Sequence, residues 1–107
     1  MNVGEHGNVI RFNVGEDISE YINTIEFISP APYNRKIVFT AASGVVVGDI
    51  DLEVDTGTFL AKQYLEYTTQ AGDFDIDGIW QSRVTSTTVG NTVRKVTDKT
   101  ANFRIYP

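Results

Sequence analysis

The sequence predicts an all-β domain, an antiparallel β-sandwich of about seven strands. Short segments that alternate apolar and polar residues recur along the 107 residues, and turns rich in glycine or proline separate them. No segment keeps a helical period over a useful length. The stretch 72–84 contains Trp80, the only tryptophan, and passes from an aspartate-rich corner into an alternating strand. We therefore expect Trp80 to lie between two layers of strands.

The first strand is predicted at residues 9–14, where Ile10 and Phe12 share one face. Such a strand buries one face and exposes the other. Residues 1–8 before it are polar and include two glycines. We expect them to form a flexible N-terminal tail, followed by a single β-sandwich domain at 9–107.

A second strand is predicted at residues 21–29, which are rich in isoleucine, phenylalanine and threonine. Apolar residues occur on both of its faces, which is typical of a central strand covered on both sides. Pro30 and Pro32 end it because proline cannot donate to a sheet ladder. Residues 35–40 follow as a third strand.

The strictest alternation in the chain covers residues 49–55. Its apolar residues share one face, which we expect to be buried: Ile50, Leu52 and Val54. Its acidic residues share the other face: Asp49, Asp51, Glu53 and Asp55. A row of acids along a strand discourages edge-to-edge pairing, and this structural role is favoured over a binding role.

The last predicted strands form a hairpin around a turn at Gly90-Asn91. A two-residue turn makes the numbers of opposite residues add up to 181, so that Trp80 faces Ala101 and Val84 faces Thr97. A bulge near Asp98-Lys99 would change this register. Four side chains are expected to anchor the core from one face of the hairpin: Trp80, Val84, Phe103 and Ile105.

Charge is distributed unevenly along the chain. The net charge is −5, which disfavours nucleic acid as a partner because binding requires neutralisation of phosphates. Residues 49–77 hold eight acids and one lysine, whereas residues 78–107 hold five basic residues and one acid. Opposite charges could let copies of the chain meet, or dock a charged partner. The candidate contact residues are Asp49, Asp51, Glu53 and Asp55 on one side and Arg94, Lys95 and Lys99 on the other.

Asp73, Asp75 and Asp77, followed by Gly78, match the first half of a calcium-binding loop. Three carboxylates at alternate positions can surround one hard cation. The bidentate glutamate expected at the twelfth position is Val84 here. A plain turn, in which aspartates accept hydrogen bonds from nearby backbone N–H groups, is therefore the favoured interpretation.

The sequence gives little support for disulfides, other metal sites, catalysis or membrane insertion. The chain has no cysteine, which excludes disulfides and thiolate metal sites. His6 is the only histidine and lies in the predicted tail, without the partners of a catalytic triad or a metal site. We expect no enzymatic activity and no cofactor. The longest apolar run is Val45–Val47, so we expect no membrane partner.

Tyrosines leave one alternative open. They could form a sugar-stacking platform, which would make the chain a carbohydrate-binding β-sandwich module, although buried strand tyrosines are the commoner explanation. The residues concerned are Tyr21, Tyr33, Tyr64, Tyr67 and Tyr106.

The corner and the strand after it resemble a known family. Gly78-x-Trp80-x-x-x-Val84, preceded by aspartate, is similar to the start of the sixth strand in immunoglobulin-like domains, most of all those of tailed-bacteriophage virion proteins. Such domains also have a tyrosine-containing fifth strand, as at Tyr64, and a last strand ending in Phe-x-Val or similar, as at Phe103. Trp80 stands where their corner tyrosine usually stands, and an indole can donate but not accept a hydrogen bond.

The resemblance implies an immunoglobulin-like sandwich that is a non-enzymatic building block of a virus particle. The domain would belong to the tail, neck, fibre or decorated capsid surface, and the protein would be made in the host cytoplasm. Its partners would be other virion proteins, and it would be present as a homo-oligomer or in several copies. No catalytic residues carry over from this family.

Overall fold

The computed structural model describes residues 1–54, 57–88, 94–96 and 101–107, and within them the fold is all-β. Ten strands and a single 3₁₀ turn, Ala41–Ser43, are found in these ranges. The strands are β1 (Val9–Asn13), β2 (Tyr21–Ile28), β3 (Lys36–Phe39), β4 (Val46–Val47), β5 (Leu52–Val54), β6 (Gly57–Phe59), β7 (Tyr64–Thr68), β8 (Gly78–Thr88), β9 (Arg94–Val96) and β10 (Ala101–Ile105).

The strands form two main sheets and one separate hairpin. The larger sheet has the order β10-β8-β2-β3, and β9 also pairs with β8. The smaller sheet has the order β1-β7-β4, while β5 and β6 form a two-stranded sheet whose pairing, within the described ranges, is with each other alone. All of these strand pairs are antiparallel.

The core lies between the two main sheets. Phe27 of β2 is fully buried, and its ring centroid lies 6.1 Å from that of Phe12 in β1 and 6.5 Å from that of Tyr67 in β7. Its neighbours from the larger sheet include Phe39 at 5.6 Å and Phe103 at 5.8 Å. Aromatic side chains from both layers therefore meet around one ring, as expected of a sandwich-like all-β fold.

Several strands lie where their alternation predicts. In β1, Ile10 and Phe12 are half-buried, whereas the residues beside them are exposed. The predicted central strand, β2, has β3 on one side and β8 on the other. It ends at Ile28, before Pro30.

The register of the last hairpin is as predicted near the turn and different beyond it. Thr85 pairs with Val96, as a two-residue turn requires. Trp80 pairs with Phe103, however, whereas the sequence predicts Ala101, so that prediction is wrong by two residues. Between β9 and β10 the pairing with β8 shifts by two residues. An even shift keeps every side chain on its predicted face. Gly90-Asn91 and Thr97 lie outside the described residues.

The first eight residues are attached to the domain. The Val3 N–H donates to the Tyr106 carbonyl at 2.7 Å, and the Tyr106 N–H donates to the Met1 carbonyl at 2.9 Å. The Gly7 N–H donates to the Thr69 carbonyl at 2.8 Å. These contacts use backbone groups, which every residue carries, so composition gives no sign of them. The flexibility of residues 1–8 stays a prediction.

The corner before β8 is held by the indole of Trp80. This side chain is fully buried, and its Nε1–H donates to the Ile76 carbonyl at 2.9 Å. The Phe74 ring packs edge-on against it with a centroid distance of 5.0 Å. Val84 and Ile105 are also buried, and Phe103 is half-buried against the same core.

Replacing Trp80 with phenylalanine should lower the free energy of unfolding by about 2–3 kcal/mol. The smaller ring leaves a cavity, and the Ile76 carbonyl loses its donor. Urea unfolding followed by circular dichroism measures the difference. Tyr106→Phe, at a residue that is 51% exposed, is the control and should change the stability little. A loss below about 0.5 kcal/mol for Trp80→Phe would contradict this account of the corner.

Candidate functional site

The hairpin β5–β6 lies outside the two main sheets, and we call residues 49–54 and 57–60 the arm. The sequence predicts that the apolar face of residues 49–55 is buried, and this prediction is wrong. Ile50 is 63% exposed, Val54 is 40% exposed and Leu52 is half-buried. The physical reason is that, among the described strands, β5 pairs with β6 alone. Phe59, opposite Leu52 in β6, packs on Tyr64 of β7, so the smaller sheet covers this face only in part.

The predicted acidic contact residues lie along this arm. Asp49, Asp51 and Glu53 are exposed, and Asp55 lies outside the described residues. One of the acids also has a structural role, because Asp51 Oδ1 accepts a hydrogen bond from the Ala61 N–H at 2.7 Å. The arm thus presents acidic and apolar side chains side by side.

The base of the arm is fixed by Tyr64, which is buried in β7. Its hydroxyl donates to the Ile50 carbonyl at 2.8 Å. Its ring lies against Gly48 so closely that a Cβ atom added there would be 1.9 Å from Tyr64 Cζ. The Phe59 ring packs on its edge at a centroid distance of 5.5 Å. The direction in which the arm leaves the domain is therefore set by a core residue.

The predicted basic contact residues belong to the other end of the chain. Arg94 and Lys95 are in β9, opposite Thr87 and Ser86 of β8, and Lys99 lies outside the described residues. Arg104 in β10 is a basic residue that the sequence analysis did not select. It is exposed, and its guanidinium carbon lies 5.6 Å from the centroid of the Tyr106 ring.

A groove opens between β1 and β10, and we call it the lateral groove. Its volume is about 320 Å³. Its apolar lining comes from Met1, Ile10, Phe12 and Phe103, and Arg11 and Arg104 also border it. Sequence reasoning missed the groove because its two walls are ninety residues apart in the chain and belong to different sheets.

Two of the three aspartates of the corner, Asp73 and Asp75, interact with different partners. Asp73 accepts hydrogen bonds from the Tyr67 hydroxyl and from the Gln70 N–H, and Asp75 forms an ion pair with Arg35 at 3.1 Å. Burial and the neighbouring Asp73 carboxylate raise the pKa of Tyr67 above its ordinary value. The described residues contain no group of three or more histidine, cysteine or acidic side chains that could hold a metal ion. The plain turn favoured from the sequence stays the prediction for Asp73, Asp75 and Asp77, with calcium binding as its alternative.

Glu26 is the most buried carboxylate among the described residues and lies on the outer face of the larger sheet. It accepts a hydrogen bond from Arg83 at 2.9 Å and forms an ion pair with Lys36 at 3.3 Å. Burial alone would raise its pKa, but the two cations outweigh that effect and hold the pKa of Glu26 below its usual value. This trio fastens β2 to both of its neighbouring strands.

The tyrosines that could stack on a sugar lie in different environments. Tyr64 and Tyr67 are buried in the core, whereas Tyr33 is 67% exposed and Tyr106 is 51% exposed. Tyr21 is half-buried. A sugar-binding platform could therefore not use Tyr64 or Tyr67.

Replacing Glu26 with glutamine should lower the free energy of unfolding near neutral pH by about 1 kcal/mol, since both cationic partners are about half exposed. Because the folded-state pKa of Glu26 lies below its unfolded value, its stabilisation is complete above the unfolded pKa. That stabilisation is lost as the pH falls through the folded value.

Urea unfolding on either side of the ordinary glutamate pKa of 4.5 measures this effect. The variant should lose less stability in acid than the wild type does. Glu20→Gln, in an exposed turn, is the control. Equal acid sensitivity of Glu26→Gln and the wild type would contradict this assignment.

Comparison with known proteins gives no match: no family model, curated protein or solved structure is similar to this chain. Within the described ranges, no helix is both long enough and apolar enough to cross a bilayer.

Proposed function

We propose that this chain is an immunoglobulin-like domain and a non-enzymatic structural component of a tailed-bacteriophage virion, acting through protein–protein contacts. The strand order is the observation that carries the first part of this proposal. The strands of such domains are lettered A to G along the chain, and sheet A-B-E-D packs on sheet G-F-C, which variable-type domains extend with C′.

The larger sheet, β10-β8-β2-β3, corresponds to the order G-F-C-C′. The smaller sheet, β1-β7-β4, corresponds to B-E-D. In chain order, the letters B, C, C′, D, E, F and G then fall on β1, β2, β3, β4, β7, β8 and β10. The arm lies between strands D and E. The correspondence supports the immunoglobulin-like part of the proposal independently of the short motifs that suggest it.

The corner supports the same assignment. Immunoglobulin-like domains have a tyrosine near the start of strand F whose hydroxyl donates to the backbone a few residues upstream. Here β8 takes the place of strand F, and Trp80 is its third residue. The indole N–H of Trp80 donates to the carbonyl of Ile76, four residues upstream. An indole can replace the phenol because this bond needs only a donor.

A structural role in an assembly is supported by the surfaces that the domain exposes. The arm combines exposed apolar side chains with acids, and the end of the chain is basic. Complementary charges select and orient partners more than they add affinity. A protein present in several copies could use such surfaces to contact its own copies or other virion proteins.

The location is tested on particles from the culture that produces this protein. We expect an antibody against the purified domain to detect it in nuclease-treated particles banded in a density gradient, in several copies per particle. A soluble host protein measured in the same fractions is the control. Absence of the domain from the particle band would overturn the proposal.

The predicted charge contact is tested by reversing Arg94 and Lys95 to glutamate. This double variant should enter particles less efficiently while its circular dichroism spectrum is unchanged, because the acidic row would then meet acids. Adding Asp49→Lys and Glu53→Lys should restore incorporation. Normal incorporation of the Arg94→Glu, Lys95→Glu variant would discard this contact.

A further inference from the structure

We propose that the arm of one copy docks as an added strand on the outer edge of β1 in a second copy, with its apolar face over the lateral groove. The inference deepens the proposed function, on which it rests, because it names a contact of the arm between copies, beside the predicted charge contact with Arg94 and Lys95. It commits to a second copy of this chain as the occupant of the groove.

The outer edge of β1 has backbone groups available for an added strand. The Val14 N–H donates to the Gln63 carbonyl at 2.9 Å, and the Thr69 N–H donates to the Asn8 carbonyl at 2.9 Å. The backbone N–H and C=O groups of the even-numbered residues in this segment therefore point toward β7. Those of Val9 and Arg11 point away from it. Among the described strands, β1 pairs only with β7. In the sheet order A-B-E-D, this edge is the position of strand A.

The groove beside that edge matches the chemistry of the arm. A strand added to β1 would direct alternate side chains toward Ile10 and Phe12 and the others toward solvent beside Arg11. The arm supplies this alternation: Ile50, Leu52 and Val54 on one face and Asp51 and Glu53 on the other. The apolar residues would cover the groove, and the acids would lie near Arg104 at its border, since Arg11 already forms an ion pair with Glu66 at 3.1 Å.

The arm, which would supply the added strand, is also available for pairing. Ile50 is 63% exposed, and β5 pairs on one side only, with β6. An exposed apolar strand with an unpaired edge is a surface that natural proteins usually cover or use. Tyr64 holds the base of the arm in place before binding. Binding therefore costs less conformational entropy than it would for a fully flexible segment.

The topology favours a contact between copies over a contact within one chain. The arm follows β4 directly, and β4 and β1 are the two opposite edges of the smaller sheet, with β7 between them. Donor and acceptor thus lie on opposite sides of the same layer. Contacts of this kind are heterologous, so they generate a ring if the rotation closes and a filament if it does not.

The test measures self-association of the purified protein by sedimentation velocity over a wide concentration range. Val9→Pro removes an outward-pointing N–H from β1 without removing a bond to β7. Ile50→Asp places a charge on the apolar face of the arm. Each variant should weaken association about tenfold or more, as expected for a central interface residue.

Val38→Pro is the matched control. It lies in β3, the edge strand of the larger sheet on the side away from β10. The Ser29 N–H donates to the Arg35 carbonyl at 2.9 Å, so the odd-numbered residues of β3 face β2 and the Val38 N–H points outward. This variant should associate like the wild type. Circular dichroism verifies the fold of every variant, and if Val9→Pro does not fold, Arg104→Glu at the groove replaces it.

Mixing two variants gives the decisive result. Val9→Pro keeps its arm and Ile50→Asp keeps its groove. At a concentration where each variant alone is monomeric, a mixture should therefore form one-to-one dimers and nothing larger. A mixture that stays monomeric, an equal loss in Val38→Pro, or a wild type that is monomeric at every concentration would overturn the inference.

The two proposals fail differently. A wild type that is monomeric in solution but present in purified particles would refute the arm contact and leave the virion role standing. A protein that associates through the arm but is absent from particles would refute the virion role alone.

Discussion

The burial of one aromatic cluster between two sheets is the constraint on which the rest of this structure depends. Phe27 lies at its centre, with rings from β1, β3, β7 and β10 around it. The corner joins the same cluster through Phe74, whose ring lies 5.1 Å from that of Phe27 and 5.0 Å from that of Trp80. Aromatic pairs contribute beyond the area that they bury, so this arrangement connects both layers and the corner in one contact network.

The parts of the fold that follow from local pattern could be predicted from the sequence. The alternation of β1 gives the face that Ile10 and Phe12 use, and strand parity gives the buried face of the last hairpin. Side-chain parity survives a two-residue shift of register, which is why Phe103 keeps its face although its partner differs. The sequence could not identify Phe27 as the central ring, because one phenylalanine among six carries no local mark.

The errors have a common physical origin. Alternation in residues 49–55 shows that two faces differ, but not which layer covers the apolar one. In this structure the smaller sheet covers it only in part, through Phe59 and Tyr64, and Ile50 and Val54 are exposed. Two features that the sequence does not reveal, the backbone contacts of residues 1–8 and the lateral groove, also depend on neighbours that are distant in the chain. Such pairings are decided by the packing of the whole domain and leave little trace in a single segment.

The close approach of Gly48 to the ring of Tyr64 ties the arm to the interior. Any side chain at position 48 would collide with an aromatic ring that is itself fixed by core packing. At Gly57, further along the arm, an added Cβ atom would meet nothing within 4 Å. Among homologues, arms of quite different length and sequence should therefore emerge from an unchanged glycine–tyrosine pair, so that the domain could acquire new binding partners without altering its interior.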